Sequence, residues 1–363
     1  MRKHVLIFVH GMGAYVKPGG EPDDSWSIAA AATLKEQYDK YKFVSRRSFE
    51  DRFEVVHVNY DTEIFKLVKR WETESQAIMG GGVASAAPVT KLLKWLEGGA
   101  KLEDNFAWTH AACVILYRFF PLMRQRLKIH VAGQFQKALA PNENGAVSTW
   151  SVIAHSLGTI VVHDVLNAMD ATTPNEAGIS ILDTMVPSAQ VVAMIANVSK
   201  VMESKDEAPV YDSLLVPQSM VRNQSCCFSY FNCNNKLDPF VLPKPFSPPA
   251  DNQAWALAKV NGSYVDISID NIEEPNVHSL RNYLVNPEVH IPLLEYLVGQ
   301  GSITETEKKK AAKDFKNISS AVVEKARKKL VDAANERIGG NADVEKWFDL
   351  IGNYFSLLEG RKA

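Results

Sequence analysis

Ser156 lies in Ser151-Val-Ile-Ala-His-Ser-Leu-Gly-Thr-Ile-Val-Val-His163, an apolar strand-like run that passes at once into a helical pattern. A serine there stands exposed at the C-terminal end of a strand, in a turn so sharp that the residues two before and two after it must be small. Ala154 and Gly158 meet that requirement. The helix that follows points its positive N-terminal end at the same place, where an oxyanion would form if the hydroxyl attacked a carbonyl. The chemistry that suits these residues is nucleophilic attack by Ser156. A serine that merely caps a helix would show the same Ser-x-Gly triplet, which ordinary composition produces about once in a chain of this length; the flanking strand and helix carry the specificity. A second turn, His10-Gly11-Met12-Gly13, directly follows the first apolar run, and its glycines let backbone approach a substrate closely. Gly-x-Gly after a strand also opens a dinucleotide-binding fingerprint, but Val16 occupies the third glycine's place and no acidic residue ends a second strand about 20 residues on. There is no His-Glu-x-x-His, the cysteines at 226, 227 and 233 lack a second pair at zinc spacing, and no phosphate-binding loop is present. Neither a metal nor a cofactor is expected.

The elbow Ala154-His155-Ser156-Leu157-Gly158 and the turn His10-Gly11-Met12-Gly13 together resemble the α/β-hydrolase superfamily, specifically its lipase- and esterase-like members, over roughly residues 4–297. The resemblance implies an oxyanion hole made by the backbone N–H groups of Met12 and Leu157, each worth about 3 kcal/mol of barrier, with Gly11, Gly13 and His155 on the substrate side. It also implies the chain order nucleophile, acid, histidine, which leaves His163, His278 and His290 as bases by position. His163 lies on the elbow helix and faces away from its N-terminus. His290 falls inside a predicted last helix at 287–297, a packing position. His278 stands in the loop Glu273-Glu-Pro-Asn-Val-His-Ser-Leu-Arg281 ahead of that helix, and the run from His278 is similar to the family's histidine loop. For the acid, residues 226–239 read as a strand ending in a turn-rich loop with Asp238 before Pro239, the family's position for the carboxylate that orients the base. Asp266 and Asp270, in a predicted hairpin at 264–270, are the alternatives, and an ordinary turn aspartate and a solvated loop histidine are the bland readings. Two departures stand out: Ala154 replaces the first glycine of the elbow, and the two antiparallel strands that usually precede the His-Gly strand are missing.

These residues need a parallel sheet to hold them. Val5-Leu-Ile-Phe-Val9 is a continuous apolar run of the kind buried on both faces, and residues 53–60, 149–154, 190–195 and 226–231 repeat it. Helical stretches alternate with them, such as 124–139 with Leu127, Val131, Phe135 and Leu139 on one face. The fold class is therefore α/β, a mostly parallel sheet of the α/β-hydrolase type shortened at its N-terminal edge. Residues 1–300 form the hydrolase domain and 301–363 a helical C-terminal tail. An insertion at about 62–123, rich in aromatics (Trp71, Trp95, Trp108, Phe119, Phe120) around Gly80-Gly-Gly82, is expected to form a helical cap over Ser156, with the glycines as its hinge. In the tail, residues 308–338 are expected to form one basic amphipathic helix and a second to follow Gly339-Gly340.

At 363 residues, 46% hydrophobic and 23% charged, the chain can bury a sizeable core, and its formal net charge of -2 supplies no field to gather nucleic acid. The four cysteines, two of them adjacent, are expected to be reduced and the location cytoplasmic. The run after Met1 is too short for a signal peptide, so no leader is expected, and no window approaches the roughly 20 apolar residues of a membrane span. Peripheral membrane contact through the tail lysines is one reading; a solvated face over an apolar stripe is the other. No protein partner is inferable. The expected function is hydrolysis of a small-molecule or lipid carboxylic ester through an acyl-enzyme, with thioesterase, amidase or a non-catalytic binding module on the same fold as alternatives.

Overall fold

The computed structural model describes residues 3–11, 16–17, 20–66, 117, 121–141, 148–168, 188–203, 209–217, 225–242, 244–274, 276–315 and 328. In chain order the strands are β1 (His4–Val9), β2 (Phe53–Val58), β3 (Trp150–His155), β4 (Ala189–Ile195), β5 (Cys227–Asn235) and β6 (Tyr264–Ile269). The helices are α1 (Ser25–Tyr38), α2 (Phe49–Arg52), α3 (Pro121–Leu139), α4 (Leu157–Ala168), α5 (Ser199–Met202), α6 (Gln253–Val260), α7 (Leu280–Val285), α8 (Pro287–Val298) and α9 (Glu305–Asp314). The strands form one sheet in the order β2-β1-β3-β4-β5-β6, every pairing parallel, and helices flank it. This is an α/β fold.

Parallel pairing places every strand's C-terminus along one edge of the sheet. The chain first steps from β1 outward to β2, then returns to the other side of β1 for β3 and continues through β4 to β6. The connections leaving β1 and β3 thus diverge, which opens a crevice between their C-terminal ends, the usual place for a ligand in an open α/β sheet. Val9 pairs with Ala154 across it, so the His10-Gly11 turn and Ser156 leave the sheet side by side. The central strands are buried along their length, as their β-branched and apolar residues require, whereas edge strand β6 alternates half-buried and exposed positions between two buried ends. On α3, Leu127, Val131, Phe135 and Leu139 are buried at four-residue spacing as expected, each contributing about 1.5–3 kcal/mol.

Several expected boundaries move. The polar run Asn232-Cys-Asn-Asn235 continues β5 rather than forming a loop, because its amides find partners inside: Asn232 Nδ2 donates to Asp266 Oδ1 (2.7 Å), and Asn234 Oδ1 accepts from the N–H of Asn197 (2.9 Å). The expected hairpin at 264–270 is a single strand, β6, paired parallel to β5; the chain reverses earlier, at Asn261-Gly262 between α6 and β6, where Gly262 takes φ 77°. The tail helix does not run unbroken over 308–338: it starts at Glu305 under a Thr304/Glu307 capping box and stops at Asp314, with Phe315 extended. Of the stretch 62–123, only 62–66, 117 and 121–123 are described, so Trp71, Trp95, Trp108, Phe119, Phe120 and Gly80–Gly82 lie outside the described residues. Cys226, Cys227 and Cys233 are buried. Among the described residues no helix is long and apolar enough to cross a membrane.

One charged cluster ties α3 to α4. Asp164 Oδ2 accepts from Arg124 Nε (2.7 Å) and from the Tyr117 hydroxyl (2.5 Å), while Oδ1 lies 3.1 Å from His163 Nδ1, all of them buried. Burial alone would raise the Asp164 carboxyl, but the His163 hydrogen bond, the Arg124 charge and the Tyr117 hydroxyl outweigh it and hold the group below the usual carboxylate range. Its contribution to stability is therefore complete above the unfolded-state pKa and is lost as the pH falls through the depressed folded value. Asp164→Asn, which removes the carboxylate facing the buried Arg124 guanidinium, is expected to lower the unfolding free energy by about 3–5 kcal/mol near neutral pH. In urea titrations across pH, that deficit should shrink in acid; a deficit independent of pH would contradict this assignment.

Candidate active site

The elbow is built by backbone constraint. Ser156 has φ 53°, in the left-handed region that a non-glycine residue enters only when its surroundings impose it. Two anchors do so: its N–H donates to Ile195 O (3.0 Å), extending the β3–β4 ladder by one step, and its carbonyl accepts from the N–H (2.9 Å) and hydroxyl (2.6 Å) of Thr159. The first turn of α4 is pressed against the end of β1. A methyl group on Gly158 would lie 2.4 Å from His10 O and 2.8 Å from Val9 O, and one on Gly11 would lie 2.7 Å from Ser156 Cβ. Both glycines are required by close approach. Ser156, expected to be exposed, is instead fully buried, because the His10-Gly11 turn and the loop carrying His278 close over it.

His278 follows β6 and reaches across the sheet edge to the elbow. Its Nε2 lies 2.7 Å from Ser156 Oγ, and its Nδ1 lies 2.8 Å from Asp238 Oδ2. The carboxylate of Asp238, fully buried just beyond β5, takes further donors: the N–H of Phe240 to Oδ1 (3.0 Å) and the Tyr283 hydroxyl to Oδ2 (2.8 Å). With Asp238 accepting at Nδ1–H, the neutral imidazole presents an unprotonated Nε2 to the serine hydroxyl. The ring is wedged between Phe240 (4.2 Å between centroids) and His155 (4.9 Å). The alternative acids are engaged elsewhere: Asp266 accepts from Asn232, and Asp270 pairs with Lys236 at the surface.

His155, expected on the substrate side, turns its Nε2 to the backbone carbonyl of His278 (2.7 Å) and stacks on Trp26. The His10-Gly11 turn is held from β2: the Tyr60 hydroxyl lies 3.0 and 2.9 Å from the carbonyls of His10 and Gly11, and the Tyr60 N–H donates to His10 Nε2 (3.2 Å). Burial lowers the His10 pKa to about 4, so the ring is neutral, donating from Nδ1 to Gly11 O and accepting at Nε2. Leu157 opens α4, where a backbone N–H has no acceptor within the helix. Met12 and Gly13 lie outside the described residues. The other candidate bases are committed to packing. His163 meets Asp164, while His290 accepts from the Tyr41 hydroxyl (2.6 Å) and donates to Leu284 O, its pKa lowered by burial to about 3.

Tyr283, Phe240 and Tyr60 escaped the reading of the sequence. Tyr283 had a signal, five residues past His278 in the same short run, but an aromatic there reads equally well as helix packing. A cleft of about 310 Å³ lies away from the elbow, between α1, α7, α8 and α9. Charged side chains on its walls pair with one another, Arg281 with Glu273 and Lys310 with Asp314 among them. No group of three or more metal-ligating side chains gathers among the described residues. Comparison of the chain with protein-family models, with curated proteins and with solved structures finds no match. What the site can do follows from its own geometry. Gly158→Ala is expected to lower the unfolding free energy by about 1–3 kcal/mol or more through overpacking against the β1 carbonyls. Gly133→Ala, on α3 with open space at the new methyl group, is expected to raise it by up to about 1 kcal/mol. Urea titration of both variants checks the contrast; equal effects would remove the close-approach argument.

Proposed function

We propose that the chain is a serine hydrolase of the α/β-hydrolase type that cleaves carboxylic esters through an acyl-enzyme. The observation that carries this reading is the unbroken hydrogen-bonded path from Ser156 Oγ through both ring nitrogens of His278 to Asp238, at 2.7 and 2.8 Å. An activated serine needs a base in contact with it and a third group to orient that base. The elbow, with its positive φ and its position at the crevice where the sheet order reverses, supports the same reading.

In this mechanism His278 Nε2 takes the hydroxyl proton as Ser156 Oγ bonds to the ester carbonyl carbon. The carbonyl oxygen becomes an oxyanion facing the N–H of Leu157, at the positive end of α4, and by the resemblance that of Met12. Asp238 stabilises the imidazolium. His278 then gives its proton to the leaving alkoxide oxygen as the ester C–O bond breaks, which leaves the acyl group on Ser156. Water, deprotonated by the same Nε2, attacks the acyl carbon; collapse releases the carboxylic acid and restores the serine. The substrate class, a small-molecule or lipid ester, rests on the aromatic content of residues 62–123.

A panel of p-nitrophenyl esters tests the proposal. Ser156→Ala should reduce turnover to the uncatalysed background. Asp238→Asn should lower kcat by about 10⁴-fold, the loss seen when a comparable triad carboxylate becomes an amide and the histidine tautomer is reversed. Asp266→Asn and Asp270→Asn should leave kcat near the wild-type value. Turnover surviving in Ser156→Ala, or a larger loss at Asp266 or Asp270 than at Asp238, would overturn the assignment.

A further inference from the structure

One side chain beyond the proposed serine, histidine and aspartate touches the charge on which the mechanism depends. The Tyr283 hydroxyl donates to Asp238 Oδ2 at 2.8 Å, the same oxygen that faces His278 Nδ1. It also accepts from the N–H of Asn235 at 3.1 Å, so its hydrogen is directed toward the carboxylate by the last residue of β5. Tyr283 is fully buried on α7, five residues after His278, and the loop bearing the base and the helix bearing the tyrosine close on one oxygen.

We propose that Tyr283 is a positioning residue that holds the Asp238 carboxylate for His278 and sets the pH above which His278 is free to act as a base. The proposal rests on the hydrolase reading above. A hydroxyl that donates to a buried carboxylate stabilises the negative charge of the deprotonated Asp238–His278 pair. Removing the donor makes that pair hold its proton more tightly, wherever the proton sits, so the apparent pKa of the coupled pair rises. At neutral pH more of the enzyme then carries imidazolium and cannot deprotonate Ser156. Other polar groups facing the pair are the Phe240 N–H on Asp238 Oδ1, Ser156 and His155 from the elbow and, toward Tyr283, the Cys233 thiol of β5. Burial pushes the thiol well above its ordinary range, and burial together with the Asp238 charge does the same for the Tyr283 phenol, so both stay protonated. Neither competes as a charge. The acidic limb of the rate profile belongs to the Asp238–His278 pair, with Tyr283 as its tuning donor.

The test compares the full-length wild type with Tyr283→Phe, with 3-fluorotyrosine placed at 283 and with Leu280→Ala. The last loosens the same helix at a buried core position whose side chain offers Asp238 no hydrogen bond. Two readouts are taken: the pH dependence of kcat/KM on a p-nitrophenyl ester, and an NMR titration of ¹⁵N-labelled histidine, with the His278 signal assigned by its loss in His278→Gln. In Tyr283→Phe both the acidic limb and the His278 titration should move up by roughly one pH unit, with KM little changed. 3-Fluorotyrosine, a stronger donor of nearly the same shape, should move both down, and this arm stands even if Tyr283→Phe does not fold. Leu280→Ala should lower the melting temperature and leave both values in place. The proposal is overturned if the His278 titration ignores both changes at 283, or if Leu280→Ala shifts it equally. Failure of the hydrolase reading looks different: the wild type would show no Ser156-dependent turnover, while the NMR titration would still report the Tyr283 effect.

Discussion

Between Gly158 and the carbonyls of Val9 and His10 there is room for a hydrogen atom and nothing larger. That contact lets the first turn of α4 sit down on the end of β1, and the geometry of the sheet edge follows from it. With the helix so close, the residue between β3 and α4 has to reverse the chain in a single step, so Ser156 takes a left-handed φ. Gly11 then packs against Ser156 Cβ, and the His10-Gly11 turn is pressed into register with the elbow. Strain of about 1–3 kcal/mol at one residue is tolerable only if the surroundings over-determine it, and here they do: the Ser156 N–H continues the ladder to Ile195, Thr159 ties down its carbonyl, and Tyr60 secures the facing turn.

The second constraint is electrostatic. Asp238 is fully buried, and a carboxylate in that position would cost several kcal/mol if it were unpaired. It is compensated by donors from three segments of chain: Phe240 in its own loop, Tyr283 on α7 and His278 ahead of that helix. The loop after β6 cannot relax without exposing that charge, and the imidazole is therefore held at the serine. His155 adds a further tie by hydrogen-bonding the His278 backbone, which makes the residue before the serine a support for the base loop. Three histidines meet around the elbow, and in His10 and His278 the partners specify which ring nitrogen carries the proton.

Much of this arrangement is readable in the residues because local and non-local demands coincide. The strand runs at Val5–Val9 and before Ser156 are apolar on both faces, as central parallel strands must be, and small residues at 154 and 158 flank the serine. Chain order, a property of the resemblance, leaves several candidates, and the surroundings of His278 and Asp238, a loop ahead of the last helix and a turn-rich loop after a strand, single them out. Local pattern and fold part company where polar residues are buried. Asn232 to Asn235 look like a turn until Asp266 and Asn197 supply partners from distant parts of the chain, and no local pattern encodes those partners. The seven residues 264–270, with acidic positions at 266 and 270, read as a hairpin because edge strand β6 alternates, yet its pairing partner is β5. Tyr283 was invisible as a site residue for the same reason: its hydroxyl acquires meaning only when α7 folds back over Asp238. The tail reads as one long helix because apolar residues recur at helical spacing among its lysines, while the Phe315 backbone ends the helix that begins at Glu305.

The proposed chemistry depends on Ser156 being a nucleophile made reactive by His278. The most direct measurement is to treat the folded full-length protein with a fluorophosphonate, digest it and locate the added mass by tandem mass spectrometry. A single phosphonylated peptide spanning the elbow is expected, with the adduct on Ser156 Oγ and its formation slowed in His278→Gln. An unmodified elbow peptide, or an adduct that maps to another serine, would contradict it.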